Sequence, residues 1–236
     1  MQTRKVNPYA DTLYSTPFAP GWWKSARHEL TLVRMLCVTA LLCAVCAAAD
    51  VFYIPVGGPF LRISFSFLFA AVLCMTAGPV FALPAGFIVD ALSFLLSGGD
   101  PMGYFPGYAV SSMLAFLIYA LFLYHAPLSL TRIFSARLAV DVLINVILGS
   151  VWKHMLYGKA YTVYFISGAI KNITLLPLEA LVMTFLLEKL MPVLHSLKLI
   201  PADMKVTVRK RDYVYCAVLG VIGVAVLYVY YRYKNG

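Results

Sequence analysis

The chain has 236 residues, of which 62% are hydrophobic and 12% are charged, and its formal net charge is +9 at pH 7. Soluble domains usually contain about 45 to 50% apolar residues. This composition therefore excludes an ordinary soluble domain and predicts a polytopic membrane protein.

Seven apolar runs have, or approach, the roughly 17 to 25 residues that a membrane-spanning helix needs. In chain order they cover residues 35–54, 63–78, 80–97, 104–124, 136–152, 161–190 and 213–231. The second and third runs are short. The Ala77-Gly78-Pro79 sequence between them predicts a tight turn, because Pro cannot continue a helix and Gly relaxes the backbone.

The positive charges predict the orientation of these helices. If the N-terminus is cytoplasmic, most of the 19 Lys and Arg residues lie in cytoplasmic segments, with Arg132 and Arg137 among them. This distribution follows the positive-inside rule. We therefore interpret the basic excess as a topological signal with some attraction to anionic lipid, and we expect no nucleic-acid partner. The first 30 residues are expected to form a cytoplasmic tail whose Trp22-Trp23 pair is an interfacial anchor.

No recognised catalytic or metal-binding motif is present in the sequence. The five cysteines fall within apolar runs, and the four histidines lack a His-Glu-x-x-His spacing. Walker, Gly-x-Ser-x-Gly and Gly-x-Gly-x-x-Gly motifs are absent as well. We therefore expect no metal, no cofactor and no catalysis. The competing hypothesis is an intramembrane enzyme that uses Asp90, Asp141 or Glu179 together with a histidine.

Ala40, Ala44 and Ala48 repeat every fourth residue along the first apolar run. They form a stripe of small side chains, which allows two helix backbones to approach closely in a membrane. From the spacing alone, this stripe is equally compatible with packing inside the bundle and with docking of another membrane subunit.

Polar side chains within the spans predict a ligand pocket on the outer side of the membrane. Lys171 and Asn172 lie inside the sixth run, where an ionisable group costs about 2.5 to 3.5 kcal/mol and usually faces a cavity, a partner charge or a substrate. The predicted topology brings further candidates to the same side: Arg62, Asp90, Tyr104, Phe105, Asp141, Asn145 and Trp152. The two cations suit an anionic group, and the aromatic side chains suit a flat ring. The alternative is that Trp152 belongs to an interfacial belt and that Asp90 pairs with a neighbouring helix.

Several blocks of the sequence resemble the folate-type S component of energy-coupling factor (ECF) vitamin transporters, over about residues 35–191. These blocks are Ile54-Pro55 through Leu61-Arg62-Ile63-Ser64-Phe65, Gly103-Tyr104-Phe105-Pro106-Gly107, Arg137-Leu138-Ala139-Val140-Asp141, Trp152 through Tyr157-Gly158-Lys159-Ala160, and Ile170-Lys171-Asn172 through Leu176-Pro177-Leu178-Glu179. The resemblance implies an all-α integral membrane protein with a six-helix S-component bundle. S components normally have six helices, so we interpret the seventh apolar run as one extra C-terminal transmembrane helix. The implied divisions are a cytoplasmic tail at 1–30, the substrate-binding membrane domain at 31–192, a basic cytoplasmic linker at 193–211, and the extra helix with a short outer tail at 212–236.

The resemblance also implies a function. The expected protein is the substrate-capture subunit of an ECF-type ABC transporter in the bacterial plasma membrane, and its ligand is folate or a related vitamin. Its expected partners are a transmembrane coupling subunit, for which Ala40, Ala44 and Ala48 form the coupling face, and two ATPase subunits. Gly168-Ala169 stand where the family usually has an Arg, and Asp141 stands where an Asn is common. These two departures leave the identity of the vitamin open.

Overall fold

The structure is a computed structural model that describes residues 12–14, 16–17, 19–29, 31–55, 62–98, 103–158, 160–208 and 210–235. Within these ranges the chain is almost entirely helical, with two short strand pairs. The elements are α1 (Pro20–Glu29), α2 (Val33–Val51), β1 (Tyr53–Pro55), β2 (Arg62–Ser64), α3 (Ser66–Leu96), α4 (Pro106–Leu123), β3 (Leu128–Ser129), α5 (Leu130–Ala139), α6 (Gly149–Tyr157), α7 (Tyr161–Ser196), β4 (Val206–Thr207) and α8 (Lys210–Asn235). A π-helical segment, Val140–Leu148, joins α5 to α6.

Five helical stretches in the described part of the chain are long and apolar enough to cross a membrane. They are α2, α3, α4, the continuous stretch Leu130–Tyr157, and α7. The predicted runs 63–78 and 80–97 both overlap α3. The protein is therefore a multi-pass, all-helical membrane protein.

Helix α3 is broken at Gly78, where the sequence predicts a turn. Gly78 has φ 77° and ψ −178°, a left-handed φ that only Gly adopts without strain. The break lies beside Tyr124, at the end of α4, since a Cβ at Gly78 would come within 2.9 Å of its ring. Farther along α3, Asp90 accepts a hydrogen bond from Ser112 near the start of α4. The second half of α3 therefore runs back along α4, and the break in α3 falls at the predicted turn.

The fifth span begins earlier than the sequence predicts. It starts at Leu130 instead of residue 136, and the Ser129 side chain caps it by accepting a hydrogen bond from the Arg132 backbone amide at 3.2 Å. Arg137, at the edge of the predicted run, lies well inside this longer span and is only 6% exposed. Its assignment to a cytoplasmic segment is wrong. The physical reason is that two carboxylates inside the bundle compensate its charge.

The two ends of the bundle carry different structures. At one end, β1 and β2 form an antiparallel pair in which Tyr53 lies opposite Ser64; we call this the hairpin end. At the other, α1 packs against the end of α4, and the Trp22 indole donates a hydrogen bond to the Tyr124 carbonyl at 3.0 Å; we call this the α1 end. Trp22 is 2% exposed and fills a cluster with Ala26 and Tyr124, whereas Trp23 is 40% exposed. Of the predicted Trp22-Trp23 anchor, only Trp23 therefore faces outward.

The segment that follows α7 is packed against the bundle as well. Its strand β4 pairs in parallel with β3, with Leu128 opposite Val206. Leu199 and Met204 from this segment are buried in the main core. After it, α8 runs beside α7, and the Tyr213 hydroxyl donates a hydrogen bond to the Glu188 carboxylate.

Candidate functional site: a polar cavity at the centre of the bundle

A cavity of about 470 Å³ lies among α2, α3, α4, α7 and the α5–α6 stretch. This volume is typical of small-molecule sites, which usually measure about 300 to 1,000 Å³. The lining is largely polar and extends from the hairpin end into the bundle. It consists of Asp50, Tyr53, Ser64, Ser66, Phe67, Ala70, Tyr108, Ser111, Ser112, Ala115, Phe116, Tyr119, Arg137, Val140, Ile144, Asn145, Gly149, Lys153, Tyr157, Gly168, Lys171, Asn172 and Glu179.

Arg137 is the centre of a buried charge cluster in the cavity wall. Its Nε donates to Glu179 Oε2 at 2.9 Å, and its Nη2 lies 2.8 Å from the same oxygen. Nη2 also lies 3.1 Å from Asp141 Oδ1, and Nη1 donates to the Tyr119 hydroxyl at 2.8 Å. The guanidinium carbon stands 4.3 Å from the centre of the Phe67 ring. One cation is thus held by two carboxylates, a hydroxyl and an aromatic face, which is the compensation that a buried charge requires.

Helix α7 contributes the polar wall that the sequence predicts. Lys171, Asn172 and Glu179 all line the cavity, and their spacing places them along one side of the helix. The Asn172 amide donates to the Gly168 carbonyl at 2.9 Å, which fixes its orientation. Across the cavity, Asn145 of the π-helical segment donates to Asp141 Oδ1 at 2.8 Å.

A layer of aromatic contacts supports the wall behind the lining residues. The Trp152 indole donates to Ser111 Oγ at 2.9 Å, and its ring packs edge-to-face on Phe105, with centroids 5.6 Å apart. Phe105 also packs on Tyr108 at 5.5 Å. Gly107 is required at this point, because a Cβ there would lie 2.9 Å from the Trp152 ring. Trp152 and Phe105 therefore hold two lining residues, Ser111 and Tyr108, in place.

Asp90 lies in a separate hydrogen-bonded group beside the cavity. It accepts from the Tyr104 hydroxyl at 3.0 Å and from Ser112 Oγ at 3.3 Å. Partial burial and the bond to Asp90 raise the pKa of Tyr104 to about 12, so its hydroxyl stays protonated at neutral pH and keeps donating. The Asp90 bond to Ser112 of α4 agrees with the alternative in which Asp90 pairs with a neighbouring helix.

The structure thus brings most of the predicted site residues to one region, in different roles. Asn145, Lys171 and Asn172 line the cavity; Asp141, Trp152 and Phe105 contact lining residues; and Asp90 and Tyr104 lie beside it. The side chain of Arg62 lies outside the described residues. The predicted site omits Arg137, Tyr119, Lys153 and Asp50, which line the cavity. Among the described residues, no group of three or more His, Cys, Asp or Glu side chains is placed to hold a metal ion.

The alanine stripe of α2 lies on the outside of the described bundle. Ala40, Ala44 and Ala48 are exposed, whereas Cys43 and Ala47, which lie beside the stripe on the helix surface, are buried. The exposed side chain of Leu41 extends this surface. The stripe is therefore not used for packing within the described bundle.

These features define a multi-pass membrane protein with a polar cavity among its helices, and comparison with known proteins gives its family. The folate transporter FolT of Clostridium novyi (strain NT) is 31% identical over 131 residues, which are 55% of this chain and 74% of the relative. The folate transporter FolT of Leuconostoc mesenteroides subsp. mesenteroides is 27% identical over 139 residues, or 56% and 74% of the two chains. A crystal structure of FolT bound with folic acid matches with a TM-score of 0.57 and 30% identity, covering 64% of this chain and 89% of that chain. No protein-family model matches the chain.

The chain belongs to the FolT family of folate transporters, the folate-type S components. This confirms the resemblance found in the sequence. Because its relatives are transporters, the chain is not an enzyme, and the hypothesis of an intramembrane enzyme is dropped.

Proposed function

We propose that this protein captures folate, or a close relative of folate, in the central cavity and delivers it as the S subunit of an ECF-type ABC importer. The observation that supports this most directly is the polar cavity of about 470 Å³ in a member of the FolT family. Folate combines a flat ring that carries N–H donors with two carboxylates at its other end, and both kinds of group have complements in the lining.

The lining residues suggest how such a ligand is held. Lys153 and Lys171 supply positive charge for carboxylates, and Glu179 and Asn172 supply oxygen acceptors for N–H groups. Lys171 and Glu179 are eight residues apart on α7, which corresponds to a rise of about 12 Å. We propose that the carboxylates lie near the lysines and that the ring lies toward Glu179, with Arg62 as a further cation at the hairpin end.

The experiment that tests this proposal is a folate titration of the purified protein in detergent, followed by tryptophan fluorescence because Trp152 supports the cavity wall. We expect Lys171→Ala to weaken binding at least tenfold, since a hydrogen bond to a charged group contributes about 1.5 to 3 kcal/mol. Lys189→Ala is the matched control, because Lys189 is an exposed lysine on the same helix. Arg62→Glu is expected to weaken binding in the same direction.

Two outcomes would contradict this assignment. If the folded wild-type protein does not bind folate, the ligand is a different vitamin-like molecule, which a competition series would identify. If the wild type binds folate and both the Lys171 and Arg62 variants bind as tightly, the ligand does not occupy the cavity as proposed.

The second part of the proposal concerns coupling to partner proteins. We propose that Ala40, Ala44 and Ala48 form the face that contacts a transmembrane coupling subunit, which in turn carries two ATPase subunits. The support is that this stripe is exposed on the described bundle and that small side chains allow close helix contact in lipid. Ala44→Trp should leave folate binding intact and abolish uptake by cells. Val221→Trp, at an exposed position on α8, is the control, and normal uptake by the Ala44 variant would remove this face from the proposal.

We further propose that the protein lies in the bacterial plasma membrane with its N-terminus in the cytoplasm and that α8 is a seventh span. Helix α8 has 26 residues and runs beside α7, and a helix of this length extends about 39 Å, enough to cross the membrane. Seven spans place the two termini on opposite sides of the membrane. Reporter domains fused to each terminus test this directly, because detection of both on the same side would show that α8 does not cross.

A further inference from the structure

Helix α8 makes an unusually close contact with α7. The contacts run in opposite directions along the two helices: Tyr213 reaches Glu188, Gly220 faces Leu178, and Gly223 faces Thr174. The helices are therefore antiparallel. A Cβ at Gly223 would overlap the carbonyl oxygen of Thr174 and come within 2.9 Å of its carbonyl carbon. Backbone atoms cannot rotate away as a side chain can, so any residue larger than Gly at 223 forces the helices apart.

The contact lies at an intrinsic weak point of α7. Pro177 has no backbone N–H, so the ladder of helical hydrogen bonds is interrupted there. Gly223 packs on Thr174, three residues before this break, and Gly220 packs on Leu178, one residue after it, with a Cβ there 3.2 Å from Leu178 Cβ. Helix α8 therefore bridges the interruption on one side of α7.

The same turns of α7 carry the cavity wall. Lys171 and Asn172 precede Pro177, Glu179 follows it, and all three line the cavity. A change in the angle between the two halves of α7 at Pro177 would move Lys171 and Asn172 relative to Glu179. The position of the ligand-binding groups consequently depends on how the two halves of α7 are held together.

We propose that α8 is an intramolecular brace that fixes the relative orientation of the two halves of α7 across Pro177, and that Gly220 and Gly223 are positioning residues for the cavity. This inference rests on the proposed function only where ligand affinity is the measurement. The bracing of α7 by α8 concerns the order of α7 in the ligand-free protein and does not depend on which ligand binds.

The test compares Gly223→Leu with Val221→Leu, whose side chain lies on the exposed side of α8. The first measurement is amide hydrogen exchange of residues 168–182 in the ligand-free protein in lipid nanodiscs. We expect at least tenfold faster exchange in the Gly223 variant, no change in the Val221 variant, and wild-type exchange in α3 and α4 for both. Unchanged exchange of residues 168–182 in the Gly223 variant would overturn the proposal.

The second measurement is the folate affinity of the same variants. We expect at least a tenfold loss for Gly223→Leu and none for Val221→Leu. Wild-type affinity together with faster exchange in the Gly223 variant would overturn the positioning role. If the wild type itself does not bind folate, the proposed ligand is wrong, and hydrogen exchange still tests the brace.

A disulfide cross-link tests the contact between α7 and α8 independently, in case the Gly223 variant fails to fold. The double variant Gly220→Cys/Leu178→Cys places one sulfur on α8 and one on the facing side of α7. It is made together with Cys37→Ala, because Cys37 is an exposed thiol. We expect a disulfide to form upon mild oxidation, because a Cβ at residue 220 lies 3.2 Å from the Cβ of residue 178. Failure of this pair to form a disulfide in folded protein would show that α8 does not dock as the brace requires.

Discussion

Replacing Arg137 tests whether the buried charge cluster holds the bundle together. In Arg137→Met, Glu179 loses the two guanidinium nitrogens that lie 2.8 and 2.9 Å from its Oε2 atom. Asp141 loses a contact of 3.1 Å and keeps only the amide of Asn145. Removing one partner of a buried ion pair costs about 3 to 5 kcal/mol, because the other charge stays desolvated. We therefore expect the free energy of unfolding to fall by about that amount.

The assay is unfolding in mixed detergent micelles with increasing SDS at pH 7, followed by circular dichroism. Arg34→Met is the control, since Arg34 is an exposed arginine on α2 and a surface charge contributes at most about 1 kcal/mol. The double variant Arg137→Met/Glu179→Leu removes the charges of both residues and should recover most of the lost free energy of unfolding. The resulting coupling energy should be well above the roughly 0.5 kcal/mol expected of independent sites. A loss below 1 kcal/mol in Arg137→Met, or additive effects in the double variant, would refute the reasoning.

Two further predictions concern the α1 end of the bundle. Gly78→Ala should destabilise the protein by more than Gly98→Ala. Both glycines have φ near +80°, where the strain of a side chain costs about 1 to 2 kcal/mol, but of the two only Gly78 has neighbouring atoms, the ring of Tyr124, within 4 Å. Unfolding in SDS measures both variants. Burial lowers the pKa of His125 from 6.5 to about 4. Between these two pH values the unfolded chain binds a proton that the folded protein does not. The free energy of unfolding is therefore highest above pH 6.5 and declines as the pH falls toward 4. Between pH 7.5 and 5 we expect a loss of about 2 kcal/mol that is absent in His125→Asn, a substitution that tolerates the positive φ of this residue. An equal acid sensitivity in both proteins would contradict this.

The sequence predicts features that depend on neighbours along the chain. Apolar runs locate the spans, and the turn at Gly78 follows from a Gly-Pro pair whose local chemistry is sufficient. Lys171 and Asn172 stand out because an ionisable group inside an apolar run is costly. In the structure both line the cavity, so this reasoning located one wall of the candidate site.

Features that depend on distant partners could not be predicted in the same way. The sequence assigns Arg137 to a cytoplasmic segment because the positive-inside rule counts a basic residue at the edge of an apolar run with the flanking charges. Its partner Glu179 is 42 residues away, and no spacing rule connects them. Trp22 was expected at the interface for a similar reason, since its partner Tyr124 lies 102 residues farther along the chain.

The charge balance of the cavity leads to a prediction about ligand orientation. Arg137 is paired with Glu179 and Asp141, and the proposed orientation places the ligand carboxylates near Lys153 and Lys171. Lys171→Ala should therefore weaken binding of folate more than binding of pteroate, which lacks the glutamate carboxylates. Glu179→Gln should affect both ligands equally, because both keep the ring with its N–H donors. Titration of each variant with both ligands measures the difference, and an equal effect of Lys171→Ala on folate and pteroate would reverse the proposed orientation.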